Sequence, residues 1–187
     1  MNAAEGQGAT APEGPGPGHG RTRHVVVMGV SGCGKSTVAQ GISDALGLPF
    51  AEADRFHSPE NVAKMAEGTP LDDNDRRPWL TELSAWMAAQ AREGQSTVMA
   101  CSALRRAYRD ILRHGPPEVQ FVHLDGPTEL ISARMSARPD HFMPASLLES
   151  QMAALEPLQP DEDGVVLDLR QSPDTLVDEA VRWLSAH

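Results

Sequence analysis

Apolar and polar positions along this chain fall into two alternating rhythms. Short apolar runs rich in β-branched residues predict buried strands at His24–Met28, Leu48–Ala53, Thr97–Cys101, Val119–Leu124 and Val165–Leu169. Between them, apolar residues recur at helical spacing. Val38, Ile42, Ala45 and Leu46 form one stripe, and Trp79, Leu80, Leu83, Trp86 and Met87 form another that stops at Gly94. Further helices are expected at Leu104–Arg113, from Leu130 to Arg138, and over Ala145–Glu156. The final helix of the chain, after Ser172-Pro173, carries Leu176, Val177, Ala180, Val181 and Leu184 on one face. Ser58-Pro59 and Ser172-Pro173 each pair an N-cap with a proline suited to the first helical position. Strand alternating with helix predicts an α/β class with a five-stranded parallel sheet. Residues 1–22, mostly Gly, Ala and Pro, are expected to form a disordered tail before a single domain over 23–187. The long charged connection Thr69–Pro78 is a candidate functional loop. The acidic linker Glu156–Gly164 is expected to be solvated.

One stretch carries explicit chemistry. Gly29-Val30-Ser31-Gly32-Cys33-Gly34-Lys35-Ser36-Thr37 reads G-x-x-x-x-G-K-S, a phosphate-binding loop between the first strand and the first helix. Glycines allow successive backbone N–H groups to face one anion, and the helix adds its positive end. Lys35 would reach the β- and γ-phosphates, and the Ser36 hydroxyl would hold Mg²⁺.

Ligands of an open parallel sheet bind beyond the carboxyl ends of its strands. Asp54 stands at such an end and is the best candidate to orient or deprotonate an acceptor hydroxyl; an Asx turn is the alternative. Glu52 is a second candidate, acting on Mg²⁺ through water, and Asp125 is read as an Asx-turn residue. Arg134 and Arg138 share a helix face and could close over ATP; a solvated helix end is the alternative. His123 is read as a strand histidine with a structural partner.

The net charge of −10 argues against nucleic acid as a partner, so an anionic substrate must be gathered by local basic groups. No apolar run reaches the roughly 20 residues of a membrane span, and no signal peptide is recognised. Two cysteines suggest a reducing compartment. Cys33, beside Lys35 at a helix start, could have a lowered pKa and a redox role, or could be a small residue where serine would also fit. The sixteen basic residues include only two lysines, Lys35 and Lys64. That makes Lys64 a candidate point charge, with chance as the alternative.

The chain resembles the bacterial-type gluconokinases. The likeness rests on Gly29–Thr37, on Asp54-Arg55-Phe56-His57-Ser58-Pro59-Glu60-Asn61-Val62-Ala63-Lys64-Met65, and on Gly68–Leu71 with Asp75-Arg76-Arg77-Pro78-Trp79-Leu80. It extends to Cys101-Ser102-Ala103-Leu104-Arg105-Arg106-Ala107-Tyr108-Arg109-Asp110, to Arg138–Phe142 and to Leu148–Leu155. The resemblance implies a nucleoside-monophosphate-kinase-like fold with a lid at about residues 138–145, usually a cytoplasmic homodimer, and phosphorylation of D-gluconate on its 6-hydroxyl by ATP and Mg²⁺. It implies that Lys35, Asp54 and Arg138 are catalytic. His57, Lys64, Arg76, Ser102, Arg105 and His141 would line the gluconate site. Gly29, Ser31, Gly32, Cys33, Gly34, Lys35, Ser36, Thr37, Arg134, Arg138 and Gln171 would hold the nucleotide. The division of labour among Lys64, Arg76 and Arg105 stays open. Other readings are a different small-molecule kinase such as a shikimate kinase, a nucleotide-dependent switch, or a non-catalytic ATP sensor. Cys101-Ser102-Ala103 stands where a shikimate kinase would carry Gly-Gly, and no asparagine is followed by lysine as guanine recognition would want.

Overall fold

The strand His24–Met28 (β1) sits at the middle of the molecule with every residue buried. Its alternate side chains enter two separate cores. Val25 and Val27 join one apolar cluster, and Val26 and Met28 join the other. A strand covered on both faces must be apolar throughout, which is why β1 reads as an unbroken run. The structure is a computed structural model that describes residues 21–137 and 145–187.

The other strands are Phe50–Glu52 (β2), Thr97–Ala100 (β3), Val119–Asp125 (β4) and Gly164–Asp168 (β5). They form one parallel five-stranded sheet in the order β2-β3-β1-β4-β5. The helices are Lys35–Leu46 (α1), Pro59–Ala66 (α2), Asp73–Arg92 (α3), Arg106–Leu112 (α4), Thr128–Ser136 (α5), Ala145–Ala154 (α6) and Pro173–Ala186 (α7). Helices α1 and α7 cover one face through Ile42, Leu176, Ala180 and Leu184. Helices α3 and α4 cover the other through Leu80, Leu83, Met87 and Leu112. Each fully buried side chain of this size contributes about 1.5–3 kcal/mol. The expected parallel sheet and the two serine caps, on Asn61 N–H and Thr175 N–H, are present.

Three expectations need correction. The polar stretch before Trp79 is not all loop, because α3 begins at Asp73, two turns earlier. Asp72 and Asp75 form a reciprocal capping box there, and Pro78 is accommodated within the helix. The linker after α6 is not simply solvated. Arg109 and Glu162 form an ion pair with both side chains fully buried, Nε to Oε1 at 2.6 Å and Nη2 to Oε2 at 3.0 Å. Arg109 also donates to the carbonyls of Ala103, Leu104, Glu156 and Pro157. Finally, His123 is buried without a partner on either ring nitrogen among the described residues, and burial lowers its pKa.

Burial would raise the Glu162 carboxyl, but hydrogen bonds from Arg109 and the Gln159 N–H outweigh it and hold the group below its ordinary value. A depressed carboxylate contributes stability above its unfolded-state pKa and loses it as pH falls through the lower folded value. Removing one partner of a buried pair strands the other charge. Glu162→Gln should therefore lower the unfolding free energy by about 3 kcal/mol at neutral pH in urea denaturation. The deficit should shrink as pH falls below the ordinary glutamate value of about 4.3, where the unfolded wild-type chain takes up the proton before the folded one. An unchanged midpoint at neutral pH would mean that Arg109 finds its compensation elsewhere.

Candidate active site

The loop from β1 to α1 turns on glycines. Gly29 has φ +145°, and a Cβ there would lie 2.8 Å from Cys33 Sγ and 2.9 Å from the Leu124 carbonyl oxygen, so no larger residue fits. Gly34 has φ 91° at the N-cap of α1, and no side chain caps that helix. Its first N–H groups are thus left for an outside acceptor, which suits phosphate. Lys35 Nζ donates to the Val30 carbonyl at 3.0 Å, so the lysine lies back along the loop. The Ser36 hydroxyl belongs to an exposed residue at the helix start. Among the described residues no three His, Cys, Asp or Glu side chains gather as a metal cluster. One hydroxyl beside a phosphate cradle fits Mg²⁺, which usually keeps waters and binds phosphate oxygens with few protein ligands.

Cys33 does not have the reactive environment its position suggested. Burial pushes its thiol up, and Lys35 only partly opposes this. Cys101 is pushed up to about 12, first by burial. Both thiols are buried and free.

Asp54 does not end strand β2. It lies two residues beyond, in a 3-10 turn over Ala53–Phe56. The turn projects its carboxylate into solvent, with the side chain 87% exposed. His57 Nε2 stands 3.9 Å from Asp54 Oδ1, and the imidazole stacks on Trp79 with ring centroids 4.1 Å apart. Burial lowers the His57 pKa, opposed by Asp54 and reinforced by Arg76, so the ring is neutral at pH 7. Trp79 in turn donates Nε1–H to the Ala53 carbonyl at 2.8 Å. The tryptophan is core, as expected, and it also anchors the Asp54 turn.

Arg76 and Arg105 flank Tyr108, their guanidinium carbons 5.6 Å and 5.8 Å from its ring centroid. The Tyr108 hydroxyl donates to Asp73 Oδ1 at 2.6 Å, and Arg105 Nη1 lies 3.5 Å from Asp73 Oδ2. Lys64 Nζ is already paired, at 2.7 Å and 2.9 Å from the two carboxylate oxygens of Asp75. The hydrogen bond between them is the main cause that raises the lysine pKa and lowers that of Asp75. Ser102 follows β3, and its carbonyl accepts from the Gly29 N–H at 3.3 Å, so it adjoins the phosphate loop directly. Next to it, Ala103 has φ 44°, a strained value for a residue with a Cβ. Arg109 holds that carbonyl.

On the nucleotide side, Arg134 donates to the Leu169 carbonyl at 2.6 Å, and Gln171 donates to Glu179 at 3.0 Å. Asp125 closes β4 opposite Asp168, and Glu52 closes β2. Arg138 and His141 lie outside the described residues, as does most of the expected lid. Tyr108, Asp73 and Asp75 escaped sequence reasoning as parts of the site. The helical spacing of Asp73, Arg76 and Arg77 could have pointed to them, had the helix start been recognised.

Comparison with known proteins places this arrangement. The AAA domain family matches residues 25–158. A gluconokinase of Gluconobacter oxydans is 45% identical over 166 residues, covering 89% of this chain and 93% of its own. A sugar kinase from Janibacter sp. superposes with a TM-score of 0.85 at 63% identity, covering 88% of this chain and 95% of its own. A gluconokinase from Sinorhizobium meliloti superposes at 0.81 with 43% identity, covering 87% and 91%. These likenesses extend over nearly the whole of the described fold, and this chain belongs to the gluconokinase family.

Proposed function

We propose that the protein transfers the γ-phosphoryl group of ATP to the 6-hydroxyl of D-gluconate, giving 6-phospho-D-gluconate and ADP. The observation that supports this reading most directly is the glycine phosphate loop at the start of α1, with Lys35 folded back along it and the Ser102 carbonyl bonded to its first residue. The acceptor oxygen attacks phosphorus as the bond to the β-phosphate oxygen breaks, and the hydroxyl proton passes to Asp54. Lys35 leaves the Val30 carbonyl for the phosphates. The α1 N-terminus and Arg134 act at the nucleotide, joined in this reading by Arg138, Gln171 and the loop residues Gly29–Thr37. Mg²⁺, held by Ser36, would neutralise charge on the β- and γ-phosphates. His57, neutral and stacked, offers a hydrogen bond to a sugar hydroxyl, with Ser102 and His141 completing the pocket.

For the gluconate carboxylate, Arg76 and Arg105 are the better-placed cations. Planar guanidinium groups bind a carboxylate in two-point fashion. Lys64 already carries Asp75 as its counter-ion and acts chiefly by fixing α2 against α3. Following the family, the reaction is placed in the cytoplasm and two chains are expected to pair as a homodimer. No helix among the described residues is long and apolar enough to cross a membrane.

Turnover is tested by ADP release with Mg-ATP and D-gluconate, shikimate or AMP; gluconate alone should support it. Asp54→Asn should cut kcat by about 10²–10⁴-fold while ATP still binds. Near-normal turnover would remove Asp54 from the base role. Losing a hydrogen bond to a charged group costs about 1.5–3 kcal/mol, so Arg76→Ala and Arg105→Ala should each raise the gluconate KM by about 10- to 150-fold with little change for ATP. Lys64→Ala should raise it less. The reverse order would put the carboxylate on Lys64.

A further inference from the structure

Helix α6 touches both halves of the site. In its second half, Gln151 places its whole amide on one residue of the phosphate loop. Oε1 accepts from the Ser31 N–H at 2.6 Å, and Nε2 donates to Ser31 Oγ at 3.2 Å. Just past the helix, Glu156 is tied to the loop after β3. Its N–H donates to the Leu104 carbonyl at 2.8 Å, and its Oε2 accepts from the Arg106 N–H at 2.6 Å. Arg109 donates to the Glu156 carbonyl at 3.1 Å. Leu148 buries the same helix in the core cluster that contains Val30 and Cys33.

The Ser31 N–H and the Val30 carbonyl belong to one planar peptide unit. Lys35 Nζ is bonded to the oxygen of that unit, and Gln151 is bonded to its nitrogen. If this plane rotates, the lysine's resting partner moves with it. We propose that Gln151 is a positioning residue for phosphoryl transfer. By holding the Val30–Ser31 peptide it sets where Lys35 rests and keeps the front of the phosphate loop in register with the loop bearing Ser102 and Arg105. No bond to substrate is needed for this. An acceptor on its N–H and a donor on its carbonyl leave this peptide a single orientation, so the lysine has a short and reproducible path to the phosphates. The inference rests on the phosphoryl-transfer reading above.

Gln151→Met keeps the side chain's bulk and removes its acceptor. It should lower kcat about tenfold and raise the ATP KM several-fold, with the gluconate KM and Tm near wild type. Gln151→Glu restores an acceptor oxygen and should recover kcat to within about threefold, although its charge raises the ATP KM. If the Met variant does not fold, the Glu variant decides. A Gln151→Met enzyme with wild-type kcat and ATP KM would overturn the proposal. So would an equal rise in both KM values, or a Glu variant whose kcat is as low as that of the Met variant. Absence of gluconate turnover in the wild-type chain would instead overturn the reaction itself.

Discussion

The buried Arg109–Glu162 pair is the contact on which the acceptor side of the molecule hangs. A guanidinium has five donors and must satisfy them all when it is removed from water. Here they reach Glu162 and four backbone carbonyls, at Ala103, Leu104, Glu156 and Pro157. One side chain thereby joins the loop after β3, the end of α6 and the segment before β5. Such a pair is not cheap, since both charges lose their hydration, and a well-packed apolar substitute could be as stable. What an apolar substitute would lack is direction. The strained Ala103 and its neighbours keep their backbone course because the carbonyls of Ala103 and Leu104 are bonded to a fixed cation.

A second constraint follows from charge. The chain is strongly acidic overall, yet its acceptor pocket is to take an anion. The first turn of α3 shows how the conflict is handled. Asp73 and Asp75 favour the helix start through its dipole, and the same carboxylates face Arg105, Tyr108 and Lys64. Acidic residues that stabilise a helix end therefore also hold basic side chains in place. The arginine that lies 3.5 Å from its aspartate is less tightly engaged than the lysine at 2.7 Å, and the proposed division of roles rests on this difference.

Much of this was legible in the chain. The strand, glycine loop and helix at residues 24–46 follow from local rules, because a buried strand, positive-φ glycines and an amphipathic helix each leave a mark within a few residues. The serine caps at Ser58 and Ser172 were readable for the same reason. The start of α3 was not. Its capping box uses Asp72 and Asp75, and Pro78 a turn later argued for a loop by its usual meaning. Tertiary packing of Trp79 and Leu80 overrode that local signal.

The amino-acid sequence by itself determined the α/β alternation, the phosphate loop and the kinship of the chain, since each is written in contiguous residues or their spacing. Only the tertiary structure decided which charges meet. Arg109 and Glu162 are 53 residues apart, and Ser31 and Gln151 are 120 apart. It likewise buried both cysteines, raising the Cys33 thiol that sequence position would have lowered and the Cys101 thiol with it, and left His123 without a partner among the described residues. The physical reason is common to all of these. A pKa, an ion pair or a held peptide plane depends on the surrounding dielectric and on partners brought together by packing, and neither is encoded in the residues next door.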